Sequence, residues 1–168
     1  VRRCGKSCLM RSIAGELLER GAPEKEIVFI DLDSRGLRNV RTSDQLEGTI
    51  EARLEDDDPK YLFIDEYQNV AGFEEVVNAY RNDGGFSLFL TGSNSYLLSG
   101  DLATKLTGRY VELNMFTLGF SEYLQMKEQL GQTLESDALE FEAWLKEGGF
   151  PRSLGFSDPQ AKEAYTKD

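Results

Sequence analysis

Three short apolar runs, each ending in polar residues, constrain the fold of this chain most. They are EIVFIDLD at 26–33, YLFIDEYQN at 61–69 and FSLFLTGSNS at 86–95. Near-continuous apolar strands are typical of parallel sheets, because helices cover such sheets on both faces. A helical pattern at about 73–81 separates the last two runs. The sequence therefore predicts an α/β fold with a mostly parallel sheet.

A further helix is predicted near the start of the chain. Apolar residues recur at helical spacing from Cys8 to Arg20, and Gly21 with Pro23 supplies the stop. The residues before it, VRRCGKS, match the last seven positions of the phosphate-binding signature G-x-x-x-x-G-K-[ST]. The first glycine of that signature is not among the 168 residues.

The chemistry of a phosphate loop explains these residue types. Gly5 would let the backbone approach a polyphosphate, Lys6 would contact the β and γ phosphates, and Ser7 would bind Mg²⁺. The alternative is an ordinary helix start with a lysine in its first turn. The predicted nucleotide contacts from this loop are Arg3, Cys4, Gly5, Lys6, Ser7 and Cys8.

The second apolar run ends in two consecutive carboxylates. Asp65 and Glu66 follow YLFI at the C-terminal end of a predicted strand, where open α/β sheets bind their ligands. There Asp65 would hold Mg²⁺, and Glu66 would orient or deprotonate the attacking water. Because successive strand residues point to opposite faces, we expect them to play different roles. A strand that merely ends in an acidic turn is the alternative.

Polar residues also follow the third run. Ser93 and Asn94 are candidates for contact with the γ phosphate or the attacking water, and SNSYLL also has the form of a helix cap. A helical stretch at about 101–106 leads to Arg109, just before a fourth predicted strand, YVELNMFTL at 110–118. A guanidinium there can stabilise charge on a transferring phosphoryl group, and a surface ion pair is the alternative.

Composition excludes several classes of protein. The net charge of −11 argues against a surface that grips nucleic acid throughout. The absence of histidine excludes hydrolases that need an imidazole. No apolar stretch approaches the roughly 18 residues of a membrane helix, so we expect a cytoplasmic protein without a membrane partner. Cys4 and Cys8 are interpreted as reduced thiols, and the acidic run at 55–58 as a solvated loop.

Four segments together resemble a known family: VRRCGKS, YLFIDEYQNV, LFLTGSNSYLLSGDLATKLTGRYVEL and LGFSEYL. They are similar to the prokaryotic ATPases related to AAA+ proteins, in the group whose phosphate loop reads GxRRxGKS. The resemblance implies ATP and Mg²⁺ as ligands and hydrolysis coupled to conformational change. It implies a P-loop three-layer sandwich with strand order 5-1-4-3-2, whose strand 1 would precede Val1. It also implies that Ser93 or Asn94 is the sensor 1 residue and that Arg109 reaches a neighbouring subunit of a homo-oligomer.

The tail at 120–168 is predicted to begin a helical lid that follows an ATPase core at 1–119. FSEYLQMKEQL and LEFEAWLKE have helical patterns, GGFP at 148–151 breaks the second, and DPQAKEAYTKD begins another. The resemblance makes Pro151 a candidate adenine contact, with a plain helix stop as the alternative. Family members usually continue into a nuclease-like domain, through which a DNA or protein partner is expected to act.

Three functions remain open on the sequence. They are an ATPase motor or switch, a nucleotide-binding scaffold that does not hydrolyse ATP, and the ATPase module of a DNA-associated protein. Because the first loop glycine and its strand would precede Val1, residues 1–168 alone are expected to bind ATP weakly or not at all.

Overall fold

The chain has an α/β fold in which strands and helices alternate. The computed structural model describes residues 3–54, 61–92 and 110–167. In these ranges the strands are β1 (Ile27–Asp31), β2 (Tyr61–Asp65) and β3 (Ser87–Leu90). The helices are α1 (Lys6–Glu19), α2 (Ser43–Glu51), α3 (Phe73–Asp83), α4 (Phe120–Gln129), α5 (Asp137–Glu147) and α6 (Pro159–Lys167).

The three strands form one parallel sheet with β2 in the centre. The order is β1-β2-β3, and Phe29, Phe63 and Phe89 are partners in the register. Their rings stack across one face, with centroids 5.6 Å apart for the first pair and 4.4 Å for the second. Arg11 of α1 lies over the Phe29 ring on that face, 5.9 Å from its centroid.

The opposite face of the sheet carries the main apolar core. This core joins alternate residues of β1 and β2 to the inner faces of α2 and α3. Its buried members include Val28, Ile30, Leu46, Ile50, Leu62, Ile64, Val76, Val77 and Tyr80. The period of two in the strands and of three to four in the helices brings these side chains together.

Most of the predicted elements are confirmed. The α/β class, the parallel sheet and its three apolar strands are present, and the order β1-β2-β3 agrees with the 4-3-2 part of the order that the resemblance implies. Helices α1, α3, α4, α5 and α6 lie where the helical patterns predict them. The turn between α3 and β3 uses Gly84 and Gly85 at φ 75° and 83°, a region that favours glycine.

Helix α2 is not predicted by the apolar pattern of the sequence. This helix is short, and only Leu46 and Ile50 are buried on it. Its start carries a recognisable signal, because the Thr42 hydroxyl accepts a hydrogen bond from the Gln45 amide at 3.4 Å. Threonine followed three residues later by glutamine is a known mark of a helix N-terminus.

The predicted strand at 110–118 is wrong. None of these residues lies in a strand, and Val111, Leu113 and Phe116 are 88%, 73% and 74% exposed. A strand is stable only beside a neighbour that completes its backbone hydrogen bonds. The described sheet has only three strands, β1, β2 and β3, and residues 110–118 pair with none of them. The apolar pattern alone therefore did not produce a strand.

The chain divides into two compact units. We call residues 7–112 the sheet unit, and residues 1–6 with 113–168 the helical unit. The predicted division into a core at 1–119 and a lid at 120–168 stays a prediction. In the described residues, no helix has both the length and the apolar character needed to cross a bilayer.

Within the helical unit, the GGFP turn closes against the segment before α4. The Leu118 amide donates to the Gly149 carbonyl at 2.8 Å, and the Trp144 indole N–H donates to the Leu118 carbonyl at 2.8 Å. Gly149 has φ 64°, and a Cβ on it would lie 2.4 Å from the Leu118 oxygen. Only glycine fits this close approach.

Candidate functional site

Asp65 is the last residue of the central strand and is almost completely buried. It is 2% exposed, and it pairs in register with Asp31 at the end of β1. The apolar residues before it are buried as strand, which carries the carboxylate to the C-terminal edge of the sheet. The Thr91 hydroxyl donates a hydrogen bond to Asp65 Oδ1.

Thr91 bonds to four consecutive residues at the end of β2. Its amide donates to the Ile64 carbonyl at 3.0 Å, continuing the ladder one residue beyond β3. Its hydroxyl donates to Asp65 and accepts from the Glu66 amide at 3.3 Å. Its carbonyl accepts from the Tyr67 amide at 3.0 Å. The residue that follows β3 thus fixes the residues that end β2.

Glu66 lies outside the strand, in the left-handed region of backbone space. Its φ is 58° and its ψ 46°, a conformation that is uncommon for residues other than glycine. The expected alternation of strand residues therefore stops at Asp65, and the turn, not the pleat, sets the direction of Glu66. The Gln68 side chain donates from Nε2 to Glu66 Oε2.

Tyr67 follows Glu66 and is part of the apolar core. Its side chain is 3% exposed, and its ring lies 4.4 Å from that of Phe73, measured between centroids. Burial raises the pKa of Tyr67, and the carboxylates of Glu112, Glu74 and Glu66 raise it further. A Cβ on Gly92 would lie 3.0 Å from two carbons of the Tyr67 ring, so glycine allows the close packing of the chain after β3.

Two residues of the predicted phosphate loop, Arg3 and Gly5, have positive φ angles. Gly5 has φ 104°, which favours glycine, and Arg3 has φ 62°. The Lys6 ammonium lies 4.0 Å from Cys4 Sγ, and Cys4 is buried. The Arg3 guanidinium donates to the Tyr165 carbonyl at 2.6 Å and lies over the Tyr165 ring at 4.5 Å from its centroid.

Helix α1 begins at Lys6, as the phosphate-loop signature predicts. Its first turn has no acidic side chain, so the helix does not offset the positive end of its dipole with a carboxylate of its own. Ser7 is half-buried, whereas Cys8 is exposed. Cys4 and Cys8 form no disulfide, and their interpretation as reduced thiols stays a prediction.

A second polar group, which the sequence analysis did not single out, surrounds the end of β1. Arg11 of α1 pairs with Asp31 at 3.1 Å, and both side chains are open to solvent. The Asn69 side chain donates to Asp33 at 2.9 Å, and Arg41 donates to the Asn69 carbonyl at 3.3 Å. The sequence pattern does point to Asp31 and Asp33. They end the first apolar run, just as Asp65 and Glu66 end the second.

The oxygen groups of Asp65 and Ser7 fit the ligand preference of Mg²⁺. Asp65 is buried, yet no lysine or arginine in the described ranges forms an ion pair with it. A buried carboxylate requires a compensating partner, and a cation bound with phosphate would supply one. Ser7 and Asp65 share no hydrogen bond in the described part of the chain, which also contains no cluster of three or more metal-ligating residues.

Several predicted site residues lie outside the described ranges. These are Ser93, Asn94 and Arg109, together with the acidic run at 55–58. Pro151 is described: it is the first residue of a short 3₁₀ helix, Pro151–Gly155, and is half-buried. The residues that the sequence analysis missed are Thr91 and Gln68, which touch the two predicted carboxylates.

Comparison with known proteins gives a family match and two long relatives. A family described as an AAA domain matches residues 1–124. A protein of Haemophilus influenzae, described as uncharacterized, is 36% identical over 97% of this chain and 40% of its own length. An uncharacterized protein of Methanocaldococcus jannaschii is 30% identical over 100% of this chain and 38% of its own length. The chain thus spans about two fifths of these relatives. No solved structure matches the chain at a significant level.

Proposed function

This chain belongs to the AAA domain family, and from that membership we propose that it binds ATP with Mg²⁺ and hydrolyses the γ phosphate. The observation that carries the proposal is the end of β2, where a buried carboxylate is followed by a second carboxylate in a left-handed turn. Sparsely populated backbone conformations cluster at functional sites, because there the surrounding contacts hold them in place.

Each proposed role follows from the chemistry of the group. Lys6 would pair with the β and γ phosphates, and Ser7 and Asp65 would hold the metal ion. Mg²⁺, when bound, would neutralise charge that develops on the phosphate oxygens. Glu66 would accept a proton from the attacking water, or orient it, since the chain contains no histidine for that task.

We also propose that hydrolysis changes the conformation of a C-terminal or partner domain. The support is the length of the relatives, of which this chain is about two fifths. Both relatives extend well beyond the segment that matches this chain, so each has the length for a further domain.

The test is ATP binding and turnover of the natural full-length protein, by calorimetry and phosphate release. We expect Lys6→Ala to abolish binding. We expect Glu66→Gln to keep binding and to lower turnover about 100-fold or more, the usual contribution of a general base. Lys25→Ala and Glu75→Gln remove the same charges at exposed positions and should leave both quantities unchanged.

The outcomes separate the candidate functions. Absence of ATP binding by the wild-type protein would contradict the proposal. Binding without turnover would favour a nucleotide-dependent scaffold. Unchanged turnover in Glu66→Gln would remove the water-activating role from Glu66 and leave the ATPase itself standing.

A further inference from the structure

We propose that Thr91 is a positioning residue for the ATPase reaction, acting through both carboxylates of the site. The inference rests on the proposed function. Its hydroxyl would hold the Asp65 side chain in one orientation and, at the same time, hold the backbone of Glu66 in the left-handed turn.

The hydrogen bonds of the hydroxyl support this double role. A hydroxyl group has one proton to donate and lone pairs to accept with. Thr91 donates its proton to Asp65 Oδ1 and accepts the Glu66 amide at 3.3 Å. Both capacities of the hydroxyl are therefore used on adjacent residues of the site.

The bond to Asp65 leaves one carboxylate oxygen for a cation. Oδ1 is engaged by Thr91, and Oδ2 has no hydrogen bond to any residue in the described ranges. A buried aspartate that could rotate freely would present either oxygen. The Thr91 bond selects between them, as groups that orient a metal ligand commonly do.

The bond to the Glu66 amide supports an otherwise unfavourable turn. A left-handed conformation is unfavourable for a residue with a side chain, because it brings Cβ close to the following carbonyl oxygen. The amides of Glu66 and Tyr67 both bond to Thr91, the first to its hydroxyl and the second to its carbonyl. Only the first of these bonds depends on the threonine side chain.

The backbone of Thr91 is itself held by the sheet. Its amide bonds to the Ile64 carbonyl at 3.0 Å, in line with the ladder between β2 and β3. Groups on rigid elements position their partners more accurately than groups on loops. The sheet therefore holds the Thr91 hydroxyl in a fixed position relative to the Asp65 carboxylate and the Glu66 amide.

The first experiment measures Mg²⁺-dependent ATP turnover of the full-length protein. Thr91→Val keeps the shape and removes the hydroxyl, and we expect kcat to fall about 10- to 100-fold, with a higher Mg²⁺ requirement. Thr91→Ser keeps the hydroxyl and should stay near wild type. If Thr91→Val does not fold, Thr91→Ala and Thr91→Ser form a pair that differs only in the hydroxyl.

The matched control is Thr49→Val in α2. The Thr49 hydroxyl donates to the Gln45 carbonyl at 2.6 Å, a bond within one helix. Loss of that hydroxyl should change neither kcat nor the Mg²⁺ requirement. A merely structural role of Thr91 would lower the thermal midpoint and leave the Mg²⁺ requirement of the folded fraction unchanged, which would overturn the inference.

The second experiment measures amide hydrogen exchange and needs no nucleotide. In Thr91→Val, we expect the Glu66 amide to exchange at least ten times faster, while the Tyr67 amide keeps its protection through the Thr91 carbonyl. Equal protection of Glu66 in wild type and Thr91→Val would overturn the inference, whatever the turnover.

The two failures are distinguishable. If the wild-type protein turns over ATP and Thr91→Val matches it, Thr91 has no positioning role and the proposed function stands. If the wild-type protein neither binds nor hydrolyses ATP, the proposed function is wrong and the role of Thr91 in it falls with it.

Discussion

Glu66 has a backbone conformation that suits glycine better than glutamate. Its φ of 58° places it in the left-handed region, and the only other described residue with a side chain and positive φ is Arg3, in the phosphate-loop segment. Both belong to the motifs in which the sequence predicts nucleotide contacts. Strain at these two positions is consistent with selection for a role other than stability.

Substitution of Glu66 should therefore reverse the usual order of alanine and glycine. We expect Glu66→Gly to be about 1 kcal/mol more stable to urea than Glu66→Ala, because glycine adopts positive φ without a steric penalty. At exposed position 79 inside α3, Ala79→Gly should instead lose about 1 kcal/mol, the ordinary cost of glycine in a helix. Both comparisons use chemical unfolding followed by circular dichroism. Greater stability of Glu66→Ala than of Glu66→Gly would show that residue 66 is not left-handed in solution.

The sequence identified the carboxylates of the site and missed their partners. Asp65 and Glu66 follow an apolar run, so their place at a sheet edge could be read locally. Thr91 lies 26 residues from Asp65, and only the register of β2 and β3 brings them together. Gln68 is close in sequence, yet its bond to Glu66 depends on a turn that the strand pattern does not predict.

Among the elements, α4 and α5 are joined by an ion pair with little access to solvent. The Lys127 ammonium lies 2.6 Å from Glu140 Oε2, and their side chains are 15% and 3% exposed. The Glu135 amide also donates to Glu140, at 2.9 Å. Burial by itself would raise the pKa of Glu140, but the Glu135 amide and the Lys127 ammonium outweigh it, and the pKa is lowered.

This depressed pKa makes the helical unit sensitive to acid. The carboxylate stabilises the fold fully above its ordinary pKa of 4.5, and that contribution is lost as the pH falls through the lower value of the folded state. We expect the free energy of unfolding of wild type to decline below about pH 4.5 more steeply than that of Glu140→Gln. At pH 7 Glu140→Gln should be less stable by about 3 kcal/mol, because Lys127 loses its buried partner.

The fluorescence of Trp144 reports on this transition, since it is the single tryptophan and lies on α5. Glu142→Gln, at an exposed position of the same helix, is the control and should follow the wild-type pH curve. Parallel pH curves for wild type and Glu140→Gln would show that the pair does not link stability to pH.

Three segments show why the apolar pattern of the sequence predicts some elements correctly and not others. The pattern of α5 predicts a helix because it is long and ends at Gly148 and Gly149, whose positive φ values stop the helix. Helix α2 is short and has only two buried residues, so its apolar pattern is weak. The sequence feature that indicates this helix is its N-cap, Thr42. The segment at 110–118 has the apolar content of a strand, but a strand also needs a paired neighbour, and sequence pattern does not report whether one is present.

At the scale of the whole molecule, the chain is about two fifths the length of its relatives. Its net charge of −11 predicts that nucleic acid does not bind over the whole surface of this module, a prediction that remains untested. The homo-oligomer that the family resemblance implies remains a prediction. It depends on Arg109, which lies outside the described ranges, reaching the site of a neighbouring subunit.

Complementation between two inactive variants tests that prediction directly. An Arg109→Ala subunit keeps its own Glu66 but cannot supply the guanidinium, whereas a Glu66→Gln subunit cannot activate water but can still supply Arg109. If Arg109 acts across subunits, a mixture of the two full-length proteins should hydrolyse ATP well above the sum of their separate rates. Such a guanidinium contributes about 10³–10⁵ in rate, so even a minority of mixed assemblies would be measurable.

The matched control replaces the donor by the double variant Glu66→Gln with Arg109→Ala, which forms the same assemblies without any guanidinium to supply. That mixture should stay at background. If the first mixture also stays at background, while each variant still binds ATP and assembles with the other, Arg109 does not act in trans. A wild-type rate per subunit that is equal at all protein concentrations would then place the role of Arg109 within one chain. The outcome therefore decides whether the catalytic unit is one chain or a pair, because only an assembly can combine Glu66 of one subunit with Arg109 of the next.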